Sequence, residues 1–379
     1  MPSAADHLGW LEGLSPWPEE FGLERMQGLL EALGDPQRAY PAVHVVGTNG
    51  KTTTTRLLEA ILLGEGRHVG AYTSPHVTHW AERIRVGGVK ADLADALARV
   101  RPAAERLGAT QFEVLTAAAL AEFAAAGVDV AVVEAGLGGR HDATNVLSSS
   151  VVVLTNVALE HTEVLGNTRE AIAAEKLAVV QEGCTVVVGE PEWEEPARAA
   201  GAGVVVVTGR SNLALATVAA EEFLGRPVDP HWADGVEVPG RLERVGDSPL
   251  EIWDGAHNLA GVGYLLARLP SRSQWIVVAS ILADKDAAGM LAALSALGGR
   301  LVATESTSPR SLPARDLAAL GEPYFESAEA VESPAAALLG ARRAAGPDDA
   351  VLVTGSLYLL ADLTRFRPAR VPWEASASG

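Results

Sequence analysis

The sequence predicts an α/β fold of two domains, and three observations support this. Short β-branched runs alternate with Ala- and Leu-rich segments, which indicates βαβ units and a parallel sheet covered on both faces. The alternation stops at the stretch VEVPGRLERVGDSPL, residues 236–250, and then starts again. With 379 residues, of which 48% are hydrophobic, the chain is long enough for two domains, each with its own core.

Six strands are predicted in the first domain and four in the second. The turn at Pro239-Gly240 is flanked by charges and is a candidate hinge. We therefore place the boundary near residue 240, which gives domains of residues 1–240 and 241–379. The predicted strands are AVHVV, HVGAYT, VDVAVVEA, SVVVLTN, CTVVVG and GVVVVTG, followed by EIWDGA, WIVVAS, LVATE and AVLVTGS.

Composition and charge argue against several classes of protein. The formal net charge is −18 and no segment clusters Lys and Arg, which disfavours a nucleic-acid partner or an anionic membrane surface. Cys184 is the single cysteine, so neither an intrachain disulfide nor a thiolate metal cluster can form. No apolar run approaches the roughly 20 residues of a membrane helix, and the first residues lack a signal-peptide pattern. We expect a cytoplasmic monomer without nucleic-acid or membrane partners.

A glycine turn after the first strand has the context of a phosphate-binding loop. Residues 43–46 form a predicted buried strand, residues 47–50 a tight turn, and residues 52–63 a helix that Gly64 closes. Backbone N–H groups in such a turn face phosphates, and the helix N-terminus and a lysine add positive charge. A hydroxyl at Thr52 is offered to Mg²⁺ or phosphate. The predicted nucleotide-binding residues of this loop are Gly47, Thr48, Asn49, Gly50, Lys51 and Thr52.

Two features of this loop depart from simple expectation. The common G-x-x-x-x-G-K-[ST] pattern needs glycine at position 45, where this chain has Val45. A chance glycine turn before an exposed lysine is therefore an alternative. Four threonines also begin the helix, although β-branched residues disfavour helices. We expect Thr53 to face the phosphates, Thr54 to be half-buried and Thr55 to be exposed.

Glu134 ends a predicted strand and precedes a glycine turn in the segment VVEAGLGGRHDATNVL. Ligands of open α/β sheets bind at the carboxyl edge of the strands, so Glu134 and the loop after Val46 can face one crevice. Glu134 would then hold Mg²⁺ on the nucleotide phosphates. The alternative is a carboxylate that caps the GLGGR turn. Candidate substrate contacts follow at Arg140, Asp142 and Thr144.

His161 follows the next strand and so lies at the same predicted edge. The argument for a functional role of His161 depends on Lys176. This lysine lies in a helix predicted from a cap at Thr168 to about Glu182 and ended by Gly183. A lysine on the apolar stripe of a helix needs a partner or a lowered pKa. The alternative is an aliphatic stem along the core with its ammonium in solvent. The stripe consists of Ile172, Lys176, Val179 and Val180.

Three further segments carry candidate polar groups. Ser74 follows a predicted strand in AYTSPHVTHW, where a simple Ser-Pro turn is the alternative. In the second domain, DGAHNLAG places Asp254 and His257 after a strand, although Asp-Gly and Asn also favour turns. Arg241 in PGRLE is a candidate phosphate ligand, with a solvated linker arginine as the alternative.

Together these segments resemble the folylpolyglutamate synthase and dihydrofolate synthase family, within the Mur-type ATP-dependent amide ligases. The resemblance implies a P-loop-type nucleotide-binding domain with a mainly parallel sheet, followed by a smaller Rossmann-like α/β domain. It extends in order along nearly the whole chain, through FGLERMQGLLEALGDPQ, HVVGTNGKT, AYTSPHV, VVEAGLGGRHDATNVL, EHTEVLGNTREAIAAEK, SNLALA, PGRLE, DGAHN, DKD and GSLYLL.

The resemblance implies ligands for two Mg²⁺ ions. Ser74 and Glu134 would bind the first, together with the hydroxyl of Thr52. His161 would bind the second, next to a carbamylated Lys176. The carbamate would turn a buried cation into an anion beside this metal.

The resemblance also implies contacts with ATP. Lys51 and Arg241 would bind phosphate, and Asn212 would lie next to the adenine or ribose. Asp254 and His257 would contact the nucleotide or act in catalysis. The implied catalytic set is Lys51, Glu134, His161, Lys176, Arg241 and His257.

The implied activity is ATP-driven addition of L-glutamate to a folate, to dihydropteroate, or to both, through an acyl phosphate. Three alternatives remain. The first is a Mur-type ligase acting on a different carboxylate and amino acid, because Thr52 to Thr54 resemble the cell-wall Mur ligases, whereas folate ligases commonly read G-T-N-G-K-G-S. About 40 residues precede the first strand, too few for the UDP-sugar module such a ligase needs. The second is a nucleotide-regulated binding module that releases no phosphate. The third is a structural protein, which would be expected to lack so many polar groups at one sheet edge.

Overall fold

A computed structural model describes residues 3–18 and 20–367 of the chain. The chain divides into two compact units, Met1–Val236 and Glu237–Gly379, each with its own sheet. This division falls between Val236 and Glu237, whereas the sequence predicts a boundary near residue 240. Within the described ranges, no helix has both the length and the apolar character needed to cross a bilayer.

The strands of the first unit form one sheet with a parallel centre. They are β1 (Ala42–Val46), β2 (Val69–Tyr72), β3 (Ile84–Val86), β4 (Val89–Lys90), β5 (Val130–Glu134), β6 (Ser149–Leu154), β7 (Thr185–Val188) and β8 (Val204–Val207). Their order is β4-β3-β2-β5-β1-β6-β7-β8, with β3 and β4 as an antiparallel edge. All six predicted strands are confirmed. The two edge strands were not predicted, because runs of three and two residues show no periodicity.

Helices cover both faces of this sheet. The segments are α1 (Ala4–Glu12), α2 (Glu24–Ala32), α3 (Lys51–Gly64), α4 (Leu93–Leu107), α5 (Gln111–Ala126), α6 (Thr162–Leu165), α7 (Arg169–Leu177), α8 (Glu194–Ala199) and α9 (Asn212–Leu224). Helices α3 and α9 pack on one face, against alternate valines of β1, β5 and β6. On the other face, α1, α2, α4 and α5 form one core, and α7 and α8 a second. The mainly parallel α/β fold predicted for this domain is thus confirmed.

The second unit repeats the architecture with a smaller sheet. Its strands are β9 (Glu243–Asp247), β10 (Leu250–Trp253), β11 (Trp275–Ala279), β12 (Arg300–Ala303), β13 (Ser327–Ala330) and β14 (Ala350–Thr354). The order is β13-β12-β11-β14-β10-β9, and among the described strands of this second sheet only β9 runs antiparallel to its neighbour. The four predicted strands are confirmed, and β9 and β13 are additional. The helices are α10 (Leu259–Leu266), α11 (Ala287–Leu294), α12 (Ala314–Gly321), α13 (Pro334–Ala344) and α14 (Leu357–Leu363).

The topology of the first sheet brings several predicted site segments to one edge. Strand β1 lies between β5 and β6, and all three are parallel. Their carboxyl ends therefore open on the same edge, where the chain order of the strands changes direction. This is the position at which open α/β sheets bind ligands.

Helix α3 differs from its predicted form in two ways. It continues through Gly64, where a Cβ would overlap the ring of Trp232, and the left-handed glycine comes later at Gly66, with φ of 82°. Thr55 is fully buried, as is Thr54, so the predictions of an exposed Thr55 and a half-buried Thr54 were wrong. The reason is that α3 packs against α9 as well as the sheet, which widens its buried face beyond one stripe.

Helix α7 is shorter than the sequence predicts. Its cap at Thr168 is confirmed, since the Thr168 hydroxyl accepts a hydrogen bond from the N–H of Ala171. The helix ends at Leu177 rather than near Glu182, because the chain turns toward β7 through a bond from Val180 N–H to Leu177 O. Val179 remains buried although it lies outside the helix.

Candidate active site

The loop after β1 has a shape that requires glycine at two positions. Gly47 and Gly50 have φ of 147° and 84°, which side chains of L-residues rarely adopt. A Cβ at Gly47 would overlap the hydroxyl of Thr155, and one at Gly50 would lie 2.6 Å from Asn212 Oδ1. The loop therefore presents its backbone directly, as a phosphate-binding cradle does. The contact also places Asn212, the first residue of α9, beside this loop.

Residues at the end of β6 anchor the loop. Thr48 N–H donates to Asn156 O at 2.9 Å, and Asn49 N–H donates to Asn156 Oδ1 at 3.1 Å. The carbonyl of Asn49 accepts from Thr155 Oγ1 at 2.7 Å and from Asn156 Nδ2 at 2.9 Å. Thr155 and Asn156 were missed as site residues, although their position directly after the strand SVVVL was a signal that could have found them.

Lys51 folds back over the same loop. Its Nζ lies 3.1 Å from Gly47 O and 3.3 Å from Thr48 O. Because Lys51 is also the first residue of α3, its charge adds to the partial positive charge of the helix N-terminus. The alternative of a chance turn before an exposed lysine does not fit this half-buried, doubly bonded ammonium.

Glu134 connects the loops that follow β1 and β2. Its Oε1 accepts from Thr52 Oγ1 at 2.9 Å and its Oε2 accepts from Ser74 N–H at 3.0 Å. The carboxylate is 1% exposed. In the GLGGR turn, the N–H of Leu137 donates to Asp142 Oδ2 at 2.7 Å, so Asp142 is the capping carboxylate there.

This arrangement of oxygen donors fits one Mg²⁺ ion. Mg²⁺ is commonly held by one or two carboxylates and the phosphates of a substrate, with water completing its octahedron. Glu134, with the neighbouring Thr52 and Ser74, offers such a set at the edge where the phosphate loop lies. Among the described residues, no group of three or more His, Cys, Asp and Glu forms a metal site of protein ligands alone.

Asp142 and Thr144 lie beneath the glycine loop rather than on it. Thr144 is 0% exposed, and its hydroxyl donates to Asp142 Oδ1 and is 2.8 Å from His44 Nε2. Since Thr144 has one O–H and gives it to Asp142, His44 donates from Nε2. Burial holds the pKa of His44 down to about 4 and raises the pKa of Asp142. The two side chains are buried and bonded to each other, so in this structure they support the loop, and substrate contact at these positions stays a prediction.

Arg140 is exposed and lies against the end of α7. Its N–H donates to Glu175 O at 3.1 Å and its Nε to Glu175 Oε2 at 3.2 Å. A Cβ at Gly139 would lie 2.6 Å from the carbonyl oxygens of both Glu175 and Lys176. The glycine loop therefore packs directly on the backbone that carries Lys176.

Lys176 is buried, and its side chain reaches the phosphate loop. It is 4% exposed, and its Nζ donates to Gly47 O at 2.9 Å. Burial, followed by the charge of Lys51, lowers the pKa of Lys176 to about 7, against the opposing carboxylates of Glu160, Asp142 and Glu175. The alternative of an ammonium in solvent was wrong.

His161 lies at the same edge but is more open. It has a left-handed backbone, with φ of 50°, directly before α6, and its side chain is 38% exposed. Its Nδ1 is 3.9 Å from Glu163 Oε1. An unmodified Lys176 is a cation or a neutral amine and does not complete a second Mg²⁺ site with His161. A carbamylated lysine would supply the missing oxygen ligands.

The second unit brings together Arg241, Asp254 and His257. Asp254 follows β10 and is 7% exposed; its oxygens accept from Leu242 N–H at 2.7 Å and Ala256 N–H at 2.8 Å. Burial raises the pKa of Asp254, and the charge of Arg241 opposes this rise. Arg241 Nη1 donates to Gly240 O at 3.3 Å, and His257 Nδ1 lies 2.9 Å from Gly255 O.

Known proteins and protein families are similar to this chain over both units. The Mur ligase middle domain matches residues 45–222, and the glutamate ligase domain of Mur ligases matches residues 240–357. The dihydrofolate synthase/folylpolyglutamate synthase of Escherichia coli (strain K12) is 34% identical over 408 residues, covering 97% of this chain and 96% of that protein.

Two solved structures are similar over both units. The E. coli FolC complex with DHPP and ADP has a TM-score of 0.87 at 31% identity, covering 97% of this chain and 99% of that one. A bifunctional folylpolyglutamate synthase/dihydrofolate synthase with Mn, AMPPNP and L-glutamate bound has a TM-score of 0.86 at 31% identity, covering 97% and 98%. The chain therefore belongs to the folylpolyglutamate synthase and dihydrofolate synthase family of Mur ligases.

Proposed function

We propose that this chain is an ATP-dependent ligase that joins L-glutamate to a folate, to dihydropteroate, or to both. The observation that carries the proposal is the phosphate loop itself. Its glycine backbone, Lys51, and the Thr52–Glu134 pair converge at one edge of the sheet. Ligands of the similar structures, which include ADP, AMPPNP, DHPP and L-glutamate, support the choice of substrates.

The reaction follows in three steps. A carboxylate oxygen of the pterin substrate attacks the γ-phosphorus of ATP, which gives an acyl phosphate and ADP. The amino nitrogen of L-glutamate then attacks the acyl carbon and loses a proton. The tetrahedral intermediate expels inorganic phosphate and leaves an amide bond. Phosphoryl transfer needs positioning and charge neutralisation rather than a protein nucleophile.

The chain's own residues account for this neutralisation. The N–H groups at the N-terminus of α3 hold the phosphates, and Lys51 Nζ exchanges its carbonyl partners for phosphate oxygens. Glu134, Thr52 and Ser74 would hold one Mg²⁺, which supplies Lewis-acid stabilisation of the transferring phosphoryl group. In the second unit, Arg241 adds a further guanidinium for phosphate, and Asp254 and His257 contact the nucleotide.

We also propose that Lys176 is carbamylated. Because its pKa is lowered to about 7, much of the amine is neutral near physiological pH, and only the neutral amine attacks CO₂. The reaction forms an N–C bond and releases one proton, which leaves an anion next to Lys51. This anion and His161 would hold a second Mg²⁺. A crystal grown with bicarbonate tests this, and density for a bare amine at Lys176 contradicts it.

Lys51→Ala tests the proposed function. We expect glutamate-dependent ADP release to fall by at least about a thousandfold, since the variant loses the charge that the phosphoryl transfer requires. Lys90→Ala, at an exposed lysine of β4, is the matched control and keeps wild-type turnover. Wild-type turnover in Lys51→Ala would overturn the mechanism. Binding of ATP without ADP release by the wild-type protein would favour the binding-module alternative.

A further inference from the structure

The turn that carries Arg241 has an unusual backbone. Arg241 N–H donates to Val238 O at 3.0 Å, which closes a tight turn with Gly240 at φ of 65°. The next residue, Leu242, has φ of 46°, in the left-handed region that leucine rarely adopts. Such a conformation persists only where the surrounding bonds hold it. Arg241 therefore lies between Gly240 and Leu242, whose backbone conformations must be held by groups outside the turn.

Two buried carboxylates hold this turn, one on each side of Arg241. Asp254 Oδ2 accepts from Leu242 N–H at 2.7 Å, and Glu243 Oε2 accepts from Gly240 N–H at 2.8 Å. Glu243 is 6% exposed. The carbonyl of Gly240 accepts in turn from Gly255 N–H at 2.8 Å. A Cβ at Gly255 would lie 2.7 Å from Arg241 Nη1, so the guanidinium lies directly against this backbone.

Arg367, near the end of the described chain, holds Glu243. Its Nη1 donates to Glu243 Oε1 at 2.5 Å and its Nη2 to Oε2 at 3.0 Å, a two-pronged pair that fixes the carboxylate plane. The guanidinium carbon lies 5.0 Å from the ring centroid of Trp253, which is fully buried in β10. The segment itself is held on α13, where Arg342 Nη1 donates to Phe366 O at 3.0 Å.

We propose that Arg367 and Glu243 are positioning residues for Arg241. The pair orients the Glu243 carboxylate, the carboxylate holds Gly240 N–H, and the fixed turn keeps the Arg241 guanidinium oriented for phosphate. The inference rests on the proposed function, because it takes Arg241 as a phosphate ligand. A lysine at position 367 would keep the positive charge but lack the two parallel N–H donors of the guanidinium, and so would only partly hold the Glu243 carboxylate.

Arg367→Gln tests this in two backgrounds. In the otherwise wild-type protein, kcat for glutamate-dependent ADP release falls about tenfold, with Arg367→Lys intermediate. In an Arg241→Gln background, Arg367→Gln causes no further loss, since residues that act through one group are not additive. Arg365→Gln, at an exposed arginine two residues earlier, is the control and keeps wild-type kcat.

The outcomes separate this inference from the proposed function. Two results overturn the positioning role while the ligase activity stands. One is a kcat for Arg367→Gln equal to that of the wild type, and the other is a further fall in kcat, as large as in the wild type, when Arg367→Gln is added to Arg241→Gln. Absence of ADP release from the wild-type protein overturns the proposed function instead. Hydrogen exchange of residues 238–243 then still tests the positioning. We expect the backbone amides of these residues to exchange faster in Arg367→Gln than in the wild type and in Arg365→Gln. Equal exchange in all three proteins overturns the positioning role.

Discussion

At the residue scale, the sequence shows which polar or charged side chains stand in an apolar pattern. It does not show which groups those side chains contact. Lys176 could be recognised as anomalous because it interrupts an apolar stripe, and the structure buries it against Gly47 O. Asp142 and Thr144 were candidate substrate contacts, and nothing in a loop sequence shows that their side chains fold beneath the loop. Their partner, His44, gave no signal, since it alternates with valines in a strand that is buried on both faces.

The His44–Thr144–Asp142 network makes stability dependent on pH. In the folded protein the pKa of His44 is about 4, against 6.5 for an unperturbed histidine, so between these values the unfolded chain binds more protons. Stability conferred by neutral His44 is therefore complete above pH 6.5 and is lost as pH falls toward 4.

We expect His44→Gln to remove this dependence, because glutamine does not titrate and its amide still has a donor for Thr144. Between pH 7 and pH 5 the wild-type free energy of unfolding should fall by about 2 kcal/mol more than that of His44→Gln. Urea denaturation at the two pH values measures the difference. Equal losses in both proteins would show that His44 is not held neutral.

At the scale of elements, strand positions were predictable and helix ends were less so. Ten β-branched runs were identified as strands from the sequence. Strands β9 and β13 were not, because their charged residues and alanines give no β-branched pattern. Gly64 and Gly183 looked like helix stops from their spacing. The structure differs at both: Gly64 is the last residue of α3 and lies against Trp232, and α7 ends before Val179, where the chain turns toward β7.

The cap of α7 provides a prediction at this scale. Thr168→Ala removes the acceptor for Ala171 N–H, and we expect a loss of about 1 kcal/mol in the free energy of unfolding. Thr168→Ser keeps the hydroxyl and serves as the control, with wild-type stability. Chemical denaturation of the three proteins gives the comparison. A loss of equal size in Thr168→Ser would mean that packing of the threonine methyl, rather than the cap, is responsible.

At the scale of the whole molecule, a chain with a net charge of −18 needs local positive charge wherever it binds an anionic substrate. Lys51, Lys176 and Arg241 follow or face strand ends in their respective units. The order of motifs along the chain was enough to predict the family, because it covers both units. The sequence could not distinguish dihydropteroate from a reduced folate as acceptor, since that choice depends on the shape of a pocket rather than on a motif. The monomeric state stays a prediction.

The most direct test of the central claim is the mass of the product. The wild-type protein is incubated with ATP, Mg²⁺ and L-glutamate, and with dihydropteroate or tetrahydrofolate as the acceptor. We predict that at least one acceptor gains the mass of one or more glutamyl residues, with one ADP released for each amide bond. An unchanged mass for both acceptors, or product formation with a different amino acid in place of glutamate, would contradict the account.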